Sequence, residues 1–214
     1  MAKHQSYISI AAAAEAELIE KKSRFIGHIA PAATEAEAQA FLDQVRAKYR
    51  DANHNVYALQ IGSMNEVQRA NDDGEPAGTA GRPVLEALKK ADLHNIILVV
   101  TRYFGGTLLG SGGLVRAYGK AAQLAIEAAQ LVEVKPAQMC SITFNYSLLG
   151  KMESAVAEQQ LQVIDKSYGE DICFLMALPV DQLASLRQAW LDLSAGTIQL
   201  QELGERIEIK LPLG

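Results

Sequence analysis

DDGEPAGTAGRP (Asp72–Pro83) and TRYFGGTLLGSGGLVRAYG (Thr101–Gly119) are the two stretches that decide the fold of this 214-residue chain. Nine of its sixteen glycines lie within them. Glycine is used where the backbone needs a positive φ, or where another backbone or a ligand must approach closely. Two glycine-dense loops on either side of one apolar strand therefore indicate a constructed surface.

The second glycine-rich loop links that strand to a helix that we expect to begin near Gly113. Such a turn directs free backbone N–H groups and the positive end of the helix dipole outward, which suits an anion. The alternative is a tight turn that lets the helix pack closely on the sheet, since the loop is not a P-loop and matches G-x-G-x-x-G poorly. The anion-binding or RNA-binding residues that we predict are Arg102, Tyr103, Gly105, Gly106, Gly112, Gly113, Arg116 and Tyr118.

The first loop brings Asp72, Asp73 and Glu75 within four residues. Neighbouring carboxylates hold a divalent cation or perform acid–base chemistry. The alternative is structural: an aspartate fixes an Asx-turn and Glu75 pairs with an arginine. The histidines and cysteines lack zinc-ligand spacing, so we expect no metal ion and no cofactor. The candidate loop site comprises His54, Asp72, Asp73, Glu75, Thr79 and Arg82.

The net charge of −5 is unevenly distributed. Residues 1–137 carry 15 basic and 15 acidic side chains, whereas residues 138–214 carry 5 and 10. This balance excludes indiscriminate nucleic-acid binding, which rests on phosphate neutralisation, so any RNA contact needs a local patch. The longest apolar run, Ile96 to Val100, is too short to cross a bilayer, and no secretory signal is visible. We therefore predict a cytoplasmic protein without a membrane partner.

The order of predicted elements indicates an α+β chain of two α/β-sandwich domains, 1–137 and 138–214. In the first, we expect a loose arm (1–14) and then a helix packed on a mixed sheet, with a structureless loop over 63–81. The other predicted elements there are a hairpin (17–30), a helix capped by Thr34 with Glu37, a strand (53–62), a helix (82–91), a strand (95–103) and a helix (114–130).

The second domain has a more regular pattern. It predicts strands over 139–146, 161–168, 171–178 and 197–203, with a short terminal strand over 206–211. Helices are expected over 147–160 and from Pro179 to near Gly196. The order βαββαβ is that of a ferredoxin-like domain.

KSRFIG (Lys22–Gly27) and DANHNVYA (Asp51–Ala58), together with the two glycine-rich stretches, resemble the IMPACT family (UPF0029 type) in its bacterial YigZ-like branch. The resemblance covers residues 17 to 137, and the remainder looks like the C-terminal domain of the same branch. It implies that the N-terminal domain is similar to the second domain of a small-subunit ribosomal protein. It also implies that the C-terminal domain is similar to the last domain of elongation factor G.

Eukaryotic relatives inhibit a kinase that shuts down translation initiation during starvation, with help from an additional N-terminal domain. We find no such domain in this sequence and expect no kinase inhibition. The resemblance instead favours a non-enzymatic, translation-associated regulatory protein that binds RNA, the ribosome or a translation factor. The alternative is an enzyme acting on a small phosphorylated substrate, with Arg102 binding phosphate and His54, Asp73 and Glu75 supplying acid–base chemistry. From the sequence we make no prediction of the oligomeric state.

Overall fold

The computed structural model describes residues 6–213, which divide into two compact units, 6–133 together with 212–213, and 134–211. We expected the domain boundary after residue 137, a position that lies inside the strand Leu131–Phe144. The boundary at that residue stays a prediction. In the N-terminal unit the elements are β1 (Tyr7–Ile10), β2 (Ala14–Glu20), β3 (Ser23–Pro31), α1 (Glu35–Lys48), β4 (His54–Ile61), β5 (Val67–Asn71), α2 (Gly81–Lys90), β6 (Ile96–Tyr103) and α3 (Ser111–Ala128).

Five strands of this unit form one sheet in the order β2-β3-β6-β4-β5. Each neighbouring pair is antiparallel, so the expectation of a mixed sheet was wrong. The central strand β6 is buried from Ile96 through Arg102, as its continuous apolar run predicted. The strand's last buried position is therefore occupied by a charged residue, which needs a partner inside the protein.

Helices cover both faces of the sheet. α2 and α3 share one apolar cluster with the sheet, in which Val84 and Ala121 are fully enclosed. α1 covers the other face through Leu42 and Val45. Gly27 lets α3 approach closely, because a Cβ there would lie 2.8 Å from the carbonyl oxygen of Ala121.

The start of α1 follows the predicted capping pattern. Thr34 Oγ1 accepts a hydrogen bond from the Glu37 N–H at 3.2 Å. The Glu37 carboxylate accepts from the Ala33 N–H at 2.8 Å, one residue before the position that a capping box uses. The helix start is therefore confirmed, with a small shift in the return bond.

Two short strands were missed. β1 lies in the segment that we expected to be a loose arm, and Asn95 Nδ2 donates to the Tyr7 hydroxyl at 2.8 Å. Residues 1–5 of that arm lie outside the described part. β5 lies in the expected structureless loop and pairs with β4 from Val67 to Asn71. Its residues are mostly exposed because it is an edge strand, so it lacks the alternating pattern that identifies a half-buried strand.

The C-terminal unit has the predicted βαββαβ order. Its elements are β7 (Leu131–Phe144), a 3-10 turn (Tyr146–Leu148), α4 (Leu149–Glu158), β8 (Gln162–Tyr168), β9 (Ile172–Pro179), α5 (Leu183–Leu193) and β10 (Gln199–Pro212). In its sheet β9 lies between β7 and β8, and β10 also pairs with β7. The β7–β9 pair is antiparallel. The last helix begins at Leu183 and not at Pro179, because Pro179 is the last residue of a strand. The two strands expected over 197–203 and 206–211 form one continuous strand.

Both units are thus α+β, as predicted. Within residues 6–213, no helix combines the length and apolar character that crossing a bilayer requires.

Candidate functional site

Asp72 organises the first glycine-rich loop. Its carboxylate accepts backbone N–H groups of Gly78, Ala80 and Gly81 at 2.8 to 3.0 Å, which ties the loop to the start of α2. Burial opposes the charged form, but these three bonds outweigh it and hold the pKa of Asp72 below its ordinary value. The expected Asx-turn is made by Asn71, whose Oδ1 accepts from the Asp73 N–H at 2.8 Å. The structural reading of Asp72 is therefore the one that the contacts support.

Asp73 is held in a left-handed backbone conformation, with φ of 45°. Its carboxylate accepts from the Asn55 N–H at 2.6 Å and from Arg46 Nη2 at 3.3 Å. Its carbonyl lies 2.8 Å from His54 Nδ1. Because a carbonyl can only accept, His54 carries a proton on Nδ1, and its Nε2 is left facing Glu75 Oε1 at 3.8 Å.

Glu75 is the centre of a buried polar cluster. Its Oε1 accepts from Arg102 Nη1 and from the Tyr118 hydroxyl, each at 2.6 Å. Burial, assisted by the bond to Glu75, raises the pKa of Tyr118 far above its ordinary value. The sequence placed these residues in separate stretches, and the fold brings them together at the end of β6.

Arg102 is only 5% exposed, so it is not a surface group that reaches for phosphate. Its guanidinium lies 5.3 Å from the ring centroid of Phe25 and 5.7 Å from that of Phe104. Nη2 reaches Ser23 Oγ at 3.5 Å, whereas the buried Nε has no hydrogen-bond partner among the described residues. The expected phosphate contact of Arg102 is corrected to a role in the interior, where it pairs with Glu75.

The second glycine-rich loop leads into α3, whose N-terminus has no side-chain cap. Gly106 and Gly110 have positive φ values of 81° and 70°. Gly105 packs against the hairpin between β2 and β3, because a Cβ there would lie 2.0 Å from the Lys22 carbonyl carbon. The loop therefore packs closely on the hairpin, and it leaves the first amides of α3 without a side-chain cap.

Two cavities flank this helix N-terminus. One, of about 500 Å³, is lined by polar groups of His54, Glu75 and Arg102 and by the apolar side chains of Phe104 and Leu108, and it reaches Gly110 and Ser111 of α3. The other, of about 250 Å³, is lined by Lys21, Glu20, Arg116 and Lys120, with Gly113 at its wall. Leu109 contributes to both.

The exposed residues around these cavities form what we term the glycine-loop surface. Leu108 is 84% and Phe104 47% exposed, which is unusual for large apolar side chains. The surface comprises Lys21, Lys22, Phe104, Leu108, Ser111, Gly112, Arg116 and Lys120.

The other predicted site residues of the second glycine-rich stretch differ in their exposure. Arg116, Gly106 and Gly112 are exposed, Gly105 is half-buried and Gly113 buried in the same loop and helix start. Tyr103 is half-buried and donates its hydroxyl to Asp51 at 2.8 Å. The ring of Tyr118 is fully buried, so its expected place among the RNA-binding residues is corrected.

In the first loop, Thr79 is buried and donates to the Pro76 carbonyl at 2.6 Å. Arg82 lies exposed in the first turn of α2. His54 and Glu75 come together at one cavity, whereas Asp72 and Asp73 are engaged by backbone groups instead. Across residues 6–213, no group of three or more histidine, cysteine or carboxylate side chains is placed to hold a metal ion.

Sequence reasoning assigned no site role to Lys21, Lys22, Phe104, Leu108, Ser111 or Lys120. The signal for Leu108 was present, since an apolar pair inside a glycine-rich loop has no helical or strand periodicity that would bury it. The approach of Lys21 to α3 follows from the sheet order and leaves no trace in the local sequence.

Comparisons with known proteins agree with this architecture. Residues 21–126 match the Impact N-terminal domain, and residues 142–197 match a domain of unknown function, DUF1949. A crystal structure of a hypothetical protein superposes with a TM-score of 0.62 at 33% identity, covering 94% of this chain and 98% of that one.

Two bacterial relatives are similar over almost their whole length. The IMPACT family member YvyE of Bacillus subtilis is 39% identical over 92% of this chain and 91% of its own. The IMPACT family member YigZ of Escherichia coli is 35% identical over 86% of this chain and 92% of its own. The chain therefore belongs to the IMPACT family.

Proposed function

We propose that this protein is a non-enzymatic, translation-associated protein that binds RNA, free or within the ribosome, through the glycine-loop surface. The observation that carries the proposal is the combination on one surface of basic side chains, exposed apolar side chains and an uncapped helix N-terminus. Proteins that bind single-stranded RNA use such a combination, because cations follow the phosphates and aromatic rings stack on unpaired bases.

The basic part of this surface is local. Lys21, Arg116 and Lys120 line one cavity with Glu20 as its single acidic side chain, whereas residues 1–137 as a whole are neutral. Such a patch attracts phosphate over a distance of about a Debye length, roughly 8 Å at physiological salt. The net charge of −5 therefore does not oppose binding at this surface.

The buried polar cluster around Glu75 lies beneath the glycine-loop surface and stabilises it. Arg102 and Glu75 neutralise each other, and Asn53 Oδ1 accepts from the Phe104 N–H at 2.7 Å, which fixes the backbone that carries the exposed ring. An aromatic side chain on a fixed backbone loses little conformational freedom when a base stacks on it.

Binding of ribosomes and of a single-stranded RNA oligomer tests the proposal. We expect the double variant Arg116→Glu/Lys120→Glu to lose at least tenfold in affinity for the RNA oligomer, because two phosphate contacts become repulsive. Lys90→Glu/Lys151→Glu is the matched control, since both lysines are exposed and lie outside the glycine-loop surface. It changes the net charge equally and should bind as the wild type does. Equal loss in both variants, or no binding by the wild type at low salt, would overturn the proposal.

An enzyme acting on a small phosphorylated substrate is the second candidate. One observation favours it: His54, Glu75 and Arg102 line a single cavity of about 500 Å³ that reaches the start of α3. A general base must lie within hydrogen-bond reach of the proton that it removes, and His54, whose Nε2 lies 3.8 Å from Glu75 Oε1, lines this cavity. Turnover of nucleoside or sugar phosphates by the wild type, abolished in His54→Gln, would establish this candidate in place of the first.

A further inference from the structure

We propose that the 500 Å³ cavity is a subsite for one nucleotide unit, with its base against Phe104 and Leu108 and its phosphate at the start of α3. The juxtaposition of an apolar wall and an uncapped helix N-terminus in one cavity carries this inference. It deepens the proposed function, on which it rests for RNA as the source of the nucleotide.

The phosphate end of the subsite is built from backbone. Gly110 is the residue before α3, and its carbonyl already accepts the Leu114 N–H at 2.9 Å. Ser111 and Gly112, one and two positions into the helix, are exposed residues, and their N–H groups have no acceptor within the helix, so they are left for a ligand. A helix of eighteen residues adds the positive end of its dipole at this point.

The base end of the subsite is apolar. Phe104 and Leu108 are exposed beside Leu109 and Leu114, and all four line the cavity. Nucleobases stack on aromatic rings with little dependence on sequence. A cavity of about 500 Å³ lies within the range of ordinary small-molecule sites, so a nucleotide fits, whereas a folded RNA helix does not.

Arg102 supplies an independent indication of a polar ligand. It lines the cavity and is 5% exposed, and its Nε–H is buried without a partner among the described residues. Buried donors in folded proteins are almost always satisfied by protein or by bound groups. A polar atom of the ligand at this donor would add a hydrogen bond to the guanidinium, whose other nitrogens contact Glu75 and Ser23.

The charge of Glu75 does not prevent phosphate binding. Its carboxylate is neutralised by Arg102 and accepts the Tyr118 hydroxyl, so the pair is electrically balanced. Glu75 and His54 instead contribute polar edges to the lining of the same cavity. These groups would contact the ribose or the base edge.

Proline at position 111 provides a selective test. Ser111 is the first residue of α3, where proline is well tolerated because its N–H would not bond within the helix. Ser111→Pro therefore removes one donor and keeps the helix, whereas Ser111→Ala removes the hydroxyl and keeps the donor. Circular dichroism of both variants verifies that the helix content is unchanged.

The experiment is a titration of the ¹⁵N-labelled full chain with adenosine 5′-monophosphate and uridine 5′-monophosphate, with adenosine as the probe without phosphate. We expect the amide signals of Ser111 and Gly112 to shift with the monophosphates and not with adenosine. Ser111→Pro should weaken monophosphate binding roughly tenfold, the effect of losing a hydrogen bond to a charged group, and Ser111→Ala less than twofold.

Competition with RNA separates this inference from the proposed function. Monophosphates that displace a single-stranded RNA oligomer support both, and identify RNA as the source of the nucleotide. Monophosphates that bind at Ser111 while RNA does not bind support the subsite with a free nucleotide, and overturn RNA binding. RNA that binds without shifting Ser111 and Gly112, and is not displaced by monophosphates, overturns the subsite and leaves the RNA surface standing. Monophosphate binding unaffected by Ser111→Pro also overturns the subsite.

Discussion

Glu75 Oε1 lies 2.6 Å from Arg102 Nη1, and both side chains are more than nine-tenths buried. The two residues come from the first loop and from the end of β6, so this ion pair fastens the first glycine-rich stretch to the central strand. Its burial also removes Arg102 from the group of surface cations. The positive charge of the glycine-loop surface therefore comes from Lys21, Lys22, Arg116 and Lys120 instead.

Breaking this pair should be costly. Glu75→Gln leaves the buried guanidinium of Arg102 without a counter-charge, and we expect it to lower the free energy of unfolding by about 3–5 kcal/mol. Urea denaturation followed by circular dichroism measures the change. Glu86→Gln is the control, because it removes an exposed carboxylate 3.5 Å from Lys89, and we expect little change. Equal stability of the two variants would contradict the structural role assigned to Glu75.

Two glycines should respond in opposite directions to alanine. At Gly105 an added Cβ would lie 2.0 Å from backbone of Lys22, so we expect Gly105→Ala to be destabilising and to displace the hairpin tip. At Gly119, inside α3, no atom lies within 4 Å of an added Cβ. Gly119→Ala should therefore stabilise the protein by roughly 0.5–1 kcal/mol through helix propensity. Thermal unfolding of both variants checks this pair, and a shift of the same sign in both would contradict it.

His28 should make the stability dependent on pH. Burial lowers the pKa of His28 below its ordinary 6.5, although the nearby Glu15 carboxylate acts in the opposite direction. The unfolded chain then binds more protons than the folded one, so stability is fully present above about pH 6.5 and is lost as the pH falls below it. The environment of His28 also includes Thr101, which contacts the imidazole. Glu15 is contacted in addition by Lys48 and Tyr49.

Unfolding measured from pH 7.5 to 5.5 in the wild type and in His28→Gln tests this dependence. The variant should be less stable at pH 7.5, and its stability should fall less steeply over the same interval. A wild-type stability that rises as the pH falls from 6.5 would show that the contact with Glu15, and not burial, dominates the pKa of His28.

The exposed apolar residues should contribute to RNA affinity and not to folding. Phe104 is 47% exposed, so Phe104→Ala removes a stacking surface worth about 1–3 kcal/mol per base and leaves the core intact. Phe104→Tyr keeps the ring and should bind RNA nearly as well as the wild type. Binding isotherms together with melting temperatures distinguish the two effects, and a loss of stability without a loss of affinity would count against stacking.

Much of the fold follows from local sequence. The Thr34 cap, the buried run of β6 and the rhythm of the C-terminal unit each predicted the element that the structure shows. The edge strand β5 did not follow, because its exposed residues carry no alternating pattern.

The candidate site was less predictable than the fold. The arginine and the acids were identified, but pairing of Glu75 with Arg102 across 27 residues depends on tertiary structure. An arginine beside a glycine-rich loop indicates a ligand contact as readily as a buried ion pair. The position of Arg102 at the buried end of β6 is what distinguishes the ion pair with Glu75 from a ligand contact. The approach of Lys21 to α3 likewise requires the sheet order.

The dependence of RNA affinity on salt tests the central claim most directly. Each cation that neutralises a phosphate of a single strand contributes about 0.7 to the slope of log K against log salt concentration. We predict that Arg116→Gln/Lys120→Gln lowers this slope by roughly 1.4, whereas the control Lys90→Gln/Lys151→Gln leaves it at the wild-type value. A slope that is the same in all three proteins would contradict RNA binding through the glycine-loop surface.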